Sequence, residues 1–203
     1  MYFLSFFLGF CSSFLGFLAP SMLNITATKI SLENNKKTAI NFSFGVSIIV
    51  VLQSSLALLF FKAINENPFV LEYIHSFSIL IFSILSFVFF RKAFLERKKN
   101  TSKKTINNGF LTGLGLALVN MFAIPFYSGL AAVFNMNGWL ELDRVSIFLF
   151  VAGTCFGIFF LLYCYILLAE KIKSQITRFA KYLNFILGAI TGIVTVIYLI
   201  KML

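Results

Sequence analysis

Six long apolar windows alternate with short polar or charged segments along the chain. Each window reaches about 20 residues, the length that an α-helix needs to cross the hydrocarbon core of a bilayer. The seven Asp and Glu residues all lie in the intervening segments or at the ends of windows. This pattern predicts an all-α polytopic membrane protein with six transmembrane helices. The windows are 3–27, 39–61, 69–90, 109–134, 146–169 and 183–203.

The composition also indicates a membrane protein. Hydrophobic residues make up 60% of the chain and charged residues 12%, whereas about 25% of the residues of a soluble domain are charged. The net charge of +10 could indicate nucleic-acid binding. Membrane proteins, however, carry Lys and Arg in their cytoplasmic loops for topological reasons. We therefore expect no nucleic-acid partner.

The basic residues are unevenly divided between alternate segments. The segments on one predicted side carry three, seven and four of the 17 Lys and Arg residues, and the other side carries three. The group of seven lies in the central segment 91–105. Because short basic loops stay in the cytoplasm, this distribution predicts three cytoplasmic loops and both termini outside, on the periplasmic side.

The two halves of the chain are predicted to form inverted repeats. Three windows lie on either side of the central segment, and because three is odd, the second half enters the bilayer in the opposite sense. Pro20 and Pro125 lie at similar depths in the first and fourth windows, and Gly45 in the second corresponds to Gly153 in the fifth. Within a single transmembrane domain, 1–203, the expected boundaries are 1–90 for the first three-helix repeat, 91–105 for the basic loop and 106–203 for the second repeat.

No group of residues in the windows indicates an enzyme or a metal site. Catalysis would need acids and bases gathered at one depth, and the carboxylates lie at the window ends. The three Cys residues lie in apolar stretches without metal-ligand spacing. We therefore expect no catalytic residue, no metal and no cofactor. His75 follows Glu72 by one helical turn. The two residues could form a pair at the membrane interface or a proton relay, and the sequence leaves both roles open.

The interior of the windows is mildly polar. Ser, Thr, Asn, Gln and Tyr are scattered at depth, and such groups can hold a small polar solute by hydrogen bonds. Any single Ser or Thr is explained as simply by a hydrogen bond between two helices. Asn24, Gln53 and Asn120 cost more free energy to bury, so they are the stronger candidates for lining a solute pathway.

Two proline-containing stretches resemble a known family of exporters. FLAPSML at 17–23 is similar to the Pro-Gly-Pro stretch of the lysine-exporter (LysE/RhtB) family, and VNMFAIPFY at 119–127 is similar to its Asn-Pro-Lys-Ala stretch. Pro20 remains of the first motif, and Asn120 and Ala123 remain of the second. The basic loop before NFSFGVSII and the glycine near the start of the closing helix also agree with the family's layout.

The resemblance implies a secondary transporter that exports amino acids or related metabolites across the bacterial inner membrane, driven by a proton or ion gradient. Many family members carry an Asp in the second span, where this chain has the apolar stretch 48–52. A neutral amino acid therefore suits this interior better than a cationic one. The expected partners are this small-molecule substrate and the lipid bilayer; a coupling proton or ion and a homo-oligomer are left open. The alternatives are a metal-ion or other inorganic exporter and a non-transporting subunit of a larger membrane complex.

The two prolines predict where a substrate would bind. Proline cannot donate its backbone hydrogen bond and clashes with the carbonyl four residues earlier, so the carbonyls of Gly16 and Met121 should be freed. The segments that restart at the prolines would aim their partly positive ends at a substrate carboxylate, while amide side chains and freed carbonyls receive its ammonium group. Alternatively, the prolines only bend helices whose neighbours satisfy the backbone. The predicted substrate-binding residues are Gly16, Pro20, Asn24, Gln53, Asn120, Met121 and Pro125.

Overall fold

The computed structural model describes residues 2–66, 87, 91, 106–120, 122–172, 189 and 192–193. Most of these residues belong to one compact unit, Met1–Asn65 with Thr105–Lys173. The predicted third and sixth windows and the central basic loop lie almost wholly outside the described residues. Glu72, His75 and Met121 lie outside them as well, so what was predicted for these regions stays a prediction.

Six helices have their bounds within the described residues, which contain no strand. Their bounds are Tyr2–Gly16 (α1), Met22–Glu33 (α2), Lys36–Glu66 (α3), Gly109–Val119 (α4), Ala123–Met136 (α5) and Arg144–Leu167 (α6). The second and fifth predicted windows are each one continuous helix, α3 and α6. The first and fourth windows are each divided by a short break, into α1 with α2 and into α4 with α5.

Two of these helices can cross a bilayer unaided. Helices α3 and α6 are long and apolar enough, and α4 with α5 pass the same test as a pair bent by 65°. Helix α1 has 15 residues, which is about 22 Å of helix and shorter than the ~30 Å hydrocarbon core. The described residues thus contain two candidate spans, or three when the bent pair counts as one. The number six stays a prediction.

At the first break the helix ends before a proline. Helix α1 ends at Gly16, four residues ahead of Pro20, and α2 begins at Met22. The ring of Pro20 excludes the Gly16 carbonyl from a regular helix at this spacing. The N–H of Leu18 reaches back only three residues, to the carbonyl of Leu15 (3.2 Å), so the last turn of α1 is tightened.

The second break also precedes a proline. Helix α4 ends at Val119, and the N–H of Asn120 reaches back three residues to Ala117 (3.0 Å). Helix α5 begins at Ala123, which places Pro125 in its first turn. A missing N–H costs nothing there, because the first N–H groups of a helix have no partner within it. Pro125 therefore starts a helix instead of kinking one.

Helices α1 and α6 run in the same direction and touch along glycines. Methyl groups added at Gly9, Gly153 and Gly157 would overlap backbone carbonyl oxygens of the facing helix. Small residues four positions apart, such as Gly153 and Gly157, let two backbones approach closely in a lipid environment. The flanking ring pairs are Phe6 with Phe156 and Phe10 with Phe160, with centroids 5.9 Å and 6.1 Å apart.

Helices α3 and α4 form a second pair of the same kind. Methyl groups added at Gly109 and Gly113 would overlap the carbonyl oxygens of Thr38 and Phe42, respectively. Later residues of α4 thus face later residues of α3, so these helices also run in the same direction. We call such a line of glycine contacts between two helices a glycine seam. Gly45 lies in the seam of α3 and α4, against the backbone of α4.

Candidate functional site

The two helix breaks are joined by aromatic side chains. The ring of Phe17, in the first break, packs against Phe126 (centroids 5.7 Å apart) and Tyr127 (6.2 Å) of α5. The hydroxyl groups of Ser13 and Tyr127 form a buried hydrogen bond of 2.6 Å. The Phe126 ring also fills the space beside Gly16. The end of α1 and the start of α5 therefore form one packed region.

Two side chains bind the carbonyls of the first break. The Nδ2 of Asn24 donates to the carbonyls of Phe17 (2.8 Å) and Ala19 (3.0 Å). The hydroxyl of Tyr165, on α6, donates to the carbonyl of Leu18 between them (2.6 Å). Asn24 is fully buried, so its amide would be costly to leave without hydrogen-bond partners.

One side chain binds the carbonyls of the second break. The Nε2 of Gln53, on α3, donates to the carbonyls of Ala117 (3.0 Å) and Asn120 (3.1 Å) at the end of α4. Gln53 is buried. Each break thus uses one carboxamide nitrogen that bridges two backbone carbonyls.

Some of the predicted binding residues meet in the structure. Gln53 contacts Asn120 through the backbone of Asn120, and Gly16 lies against Phe126, the residue after Pro125. The Asn120 side chain is half-buried, whereas Gly16 and Pro125 are exposed on the described unit.

The other predicted residues lie at the first break or outside the described residues. Pro20 is half-buried, and Asn24 binds the backbone of its own break. Met121 is not among the described residues. Asn24 and Gln53 thus satisfy carbonyls beside the two breaks, and the freed carbonyls of Gly16 and Met121 stay a prediction. Each carbonyl oxygen has two lone pairs, and those of Ala117 and Asn120 already accept a second donor, the N–H groups of Asn120 and Ala123.

Sequence reasoning did not single out Tyr165. A tyrosine hydroxyl within an apolar helix usually finds a hydrogen-bond partner, and this was the available signal. The chain has seven Tyr residues, however, and the sequence alone does not say which of them faces a break.

The buried polar side chains of the described residues carry no formal charge, because all are Ser, Thr, Asn or Gln. Ser43 and Ser47 donate to the carbonyl four residues earlier in their own helix, which satisfies the hydroxyl locally. The Ser54 and Thr154 hydroxyls instead pair between α3 and α6 at 3.1 Å. Within the part of the chain that the structure describes, no three His, Cys, Asp or Glu side chains converge as a metal ion would need.

Comparison with known proteins gives a family match. The model of the family described as LysE type translocator matches residues 4–202, nearly the whole chain of 203 residues. The resemblance predicted from the two proline stretches is thereby confirmed. No curated protein and no solved structure matches the chain significantly.

Proposed function

The chain belongs to the LysE type translocator family, and we propose that it is a secondary transporter that exports small, neutral amino acid-like solutes across the bacterial inner membrane. The family match carries this proposal, since it extends over residues 4–202 and so covers all six predicted windows almost completely. A proton or ion gradient would drive the export. The residues would bind and pass the solute without chemical change.

The neutral character of the buried polar groups supports a neutral solute. A cationic side chain held at depth would need a carboxylate partner, because an unpaired charge in the membrane interior is costly. The buried polar residues of the described part are hydroxyls and carboxamides. Such groups suit the carboxylate and ammonium groups of an amino acid but offer no counter-charge to a basic side chain.

The two helix pairs support a six-span inverted repeat. In that topology the first and fifth spans cross the bilayer in the same direction, and so do the second and fourth. The α1–α6 and α3–α4 pairs would each join two such spans, and the members of each pair run in the same direction. A two-fold axis in the membrane plane would exchange the pairs and bring Gly45 onto Gly153. With the basic loops in the cytoplasm, both termini would lie outside.

The proposed substrate site lies at the two helix restarts. Helices α2 and α5 begin at Met22 and Ala123, and the unpaired N–H groups of a helix start favour a carboxylate. Asn24 and Gln53 hold the backbone through their amide nitrogens. Their amide oxygens and the half-buried Asn120 side chain would receive the substrate's ammonium group.

The proposal is tested by comparing cells with and without the protein while dipeptides raise their internal amino acid concentrations. Neutral amino acids should accumulate in the medium only when the protein is present. An ionophore that collapses the membrane gradients should abolish this difference.

Other results would correct the proposal in different ways. An unchanged medium, at verified abundance in the membrane, would overturn export and favour a non-transporting subunit. Export of lysine or arginine would overturn the neutral substrate. A changed efflux of divalent metal ions, with no amino acid difference, would favour the inorganic exporter.

A further inference from the structure

A small cavity lies where α2 ends, α3 begins and α6 ends. Its volume is about 170 Å³, and its lining includes Ser31 and Leu32 of α2, Lys36 of α3, and Ile166 of α6 with Glu170 just beyond it. Ser31 donates to the carbonyl of Ile166 (3.2 Å), so one wall is fixed by a bond between two helices.

The walls of this cavity carry opposite charges. Lys36 is the first residue of α3, so its ammonium group adds to the partial positive charge of a helix start, which does not stabilise the helix. Glu170 supplies a carboxylate on the α6 side. The salt bridge found among the described residues joins Lys29 to Glu33 (3.8 Å) and involves neither group. The ammonium and carboxylate groups around the cavity are therefore both available to a ligand.

The size and remaining lining of the cavity suit a small solute with an apolar part. Ligand pockets for drug-sized molecules are roughly 300–1,000 Å³, so a cavity of about 170 Å³ fits a molecule of only a few heavy atoms. Leu32 and Ile166 add apolar surface beside the charged groups. A zwitterion with a short apolar side chain matches all three features.

We infer that this cavity is a cytoplasmic capture site, in which a neutral amino acid places its carboxylate towards Lys36 and its ammonium group towards Glu170. The inference rests on the proposed function and on the proposed orientation. Two of the predicted basic cytoplasmic loops supply these residues, since Lys36 lies in the first and Glu170 begins the third. An exporter needs to collect its substrate on this side, ahead of the two breaks.

The inference is tested with everted membrane vesicles, in which the cytoplasmic face is outside and export is measured as uptake of radiolabelled alanine, leucine and threonine. Lys36→Gln and Glu170→Gln should each raise the KM for uptake about two- to fivefold, the range expected for exposed charges. The maximal rate should change little, because the site acts before the solute crosses. Lys37→Gln is the matched control, since it changes a neighbouring exposed charge that does not line the cavity.

Exchange of the two charges distinguishes capture from a surface-charge effect. Lys36→Glu combined with Glu170→Lys keeps both charges in the cavity. The KM of this double variant should therefore lie closer to the KM of the unchanged protein than the KM of Lys36→Glu alone or of Glu170→Lys alone does. Equal KM values for all variants and the control would overturn the capture site while leaving export intact. No uptake by vesicles of the unchanged protein would instead overturn the proposed function, and the capture site with it.

Discussion

Different side chains bind the backbone carbonyls at the two helix breaks. At the first break, Asn24 lies in the helix that restarts and binds two carbonyls, and Tyr165 adds a third hydrogen bond from α6. At the second break, Gln53 reaches across from α3, the helix that packs along α4, and binds two carbonyls that also accept the backbone N–H groups of Asn120 and Ala123. The carbonyls of the first break therefore depend on side chains from two helices, whereas those of the second break have a side-chain donor and a backbone donor.

This difference indicates where the pair of breaks is vulnerable. Losing Asn24 leaves the carbonyls of Phe17 and Ala19 without a donor among the described residues, whereas losing Gln53 leaves a backbone donor at each carbonyl of the second break. Because Gln53 also joins α3 to α4, its loss should loosen a helix pair as well as a break. The glycine seams of the α1–α6 and α3–α4 pairs are alike. The effect of changing a glycine in either seam is therefore a reference for the effects of changes at the breaks.

The largest effect is expected at the glycine seams. Gly153→Ala and Gly113→Ala each place a methyl group on a backbone carbonyl oxygen of the facing helix, which cannot move without separating the helices. Overpacking of this kind costs about 1–3 kcal/mol or more. Thermal unfolding in detergent should show a clear loss for both variants, of similar size if the two pairs are equivalent.

Gly115→Ala is the matched control for this experiment. Gly115 lies on the same helix as Gly113 but has open space beside it. In a helix interior, alanine is more favourable than glycine by about 1 kcal/mol. This variant should be neutral or stabilised. A loss for only one of the two seams would show that the pairs are not equivalent.

The next effect separates the two breaks. Asn24→Leu leaves the carbonyls of Phe17 and Ala19 without a donor among the described residues, and an unsatisfied buried polar group costs about 1–3 kcal/mol. Gln53→Leu should cost less free energy of unfolding, because the N–H groups of Asn120 and Ala123 still bind the two carbonyls of the second break. Adding Tyr165→Phe to Asn24→Leu should increase the loss further, because the carbonyl of Leu18 then loses its donor as well.

Unfolding in detergent measures these losses, with Ser47→Ala as the control. Ser47 is a buried polar residue on the same helix as Gln53, but its hydroxyl bonds within α3 and not to a break. Equal losses for Gln53→Leu and Asn24→Leu would contradict the idea that backbone donors still satisfy the carbonyls of the second break.

Local chemistry made part of this arrangement predictable. Pro20 and Pro125 predict interruptions because a proline excludes the carbonyl four residues earlier. This argument needs only a few neighbouring residues. The apolar windows likewise predict α3 and α6 directly, because a span needs one unbroken apolar stretch.

The donors at the breaks could not be predicted in the same way. Whether Tyr165 or another tyrosine reaches the first break depends on how α6 is rotated and shifted against α1, and a single sequence contains no signal for that. Gln53 was singled out because burying an amide is costly, but the sequence did not reveal that its partner is a broken backbone. The charged cavity itself could not be predicted, because Lys36 and Glu170 are far apart in sequence.

The smallest effect on stability is expected at Asn120, although we propose that replacing its side chain abolishes export. Gln53 binds the backbone carbonyl of Asn120, so replacing the side chain leaves that bond in place. Among the described residues the Asn120 side chain makes no hydrogen bond of its own. Asn120→Leu should therefore change the free energy of unfolding by about 0.5 kcal/mol or less, as do most substitutions away from buried networks.

Export provides the contrast that makes this variant informative. If the Asn120 amide receives the ammonium group of the solute, Asn120→Leu should reduce export from dipeptide-fed cells to the level of cells that lack the protein. Asn41→Leu makes the same chemical change on an exposed face of α3, away from both breaks, and should export normally. Because protein abundance and unfolding should match in the two variants, a difference in export would arise from the site and not from the fold. Normal export by Asn120→Leu at equal abundance would remove the second break from the substrate site, while its support by Gln53 would stand unchanged.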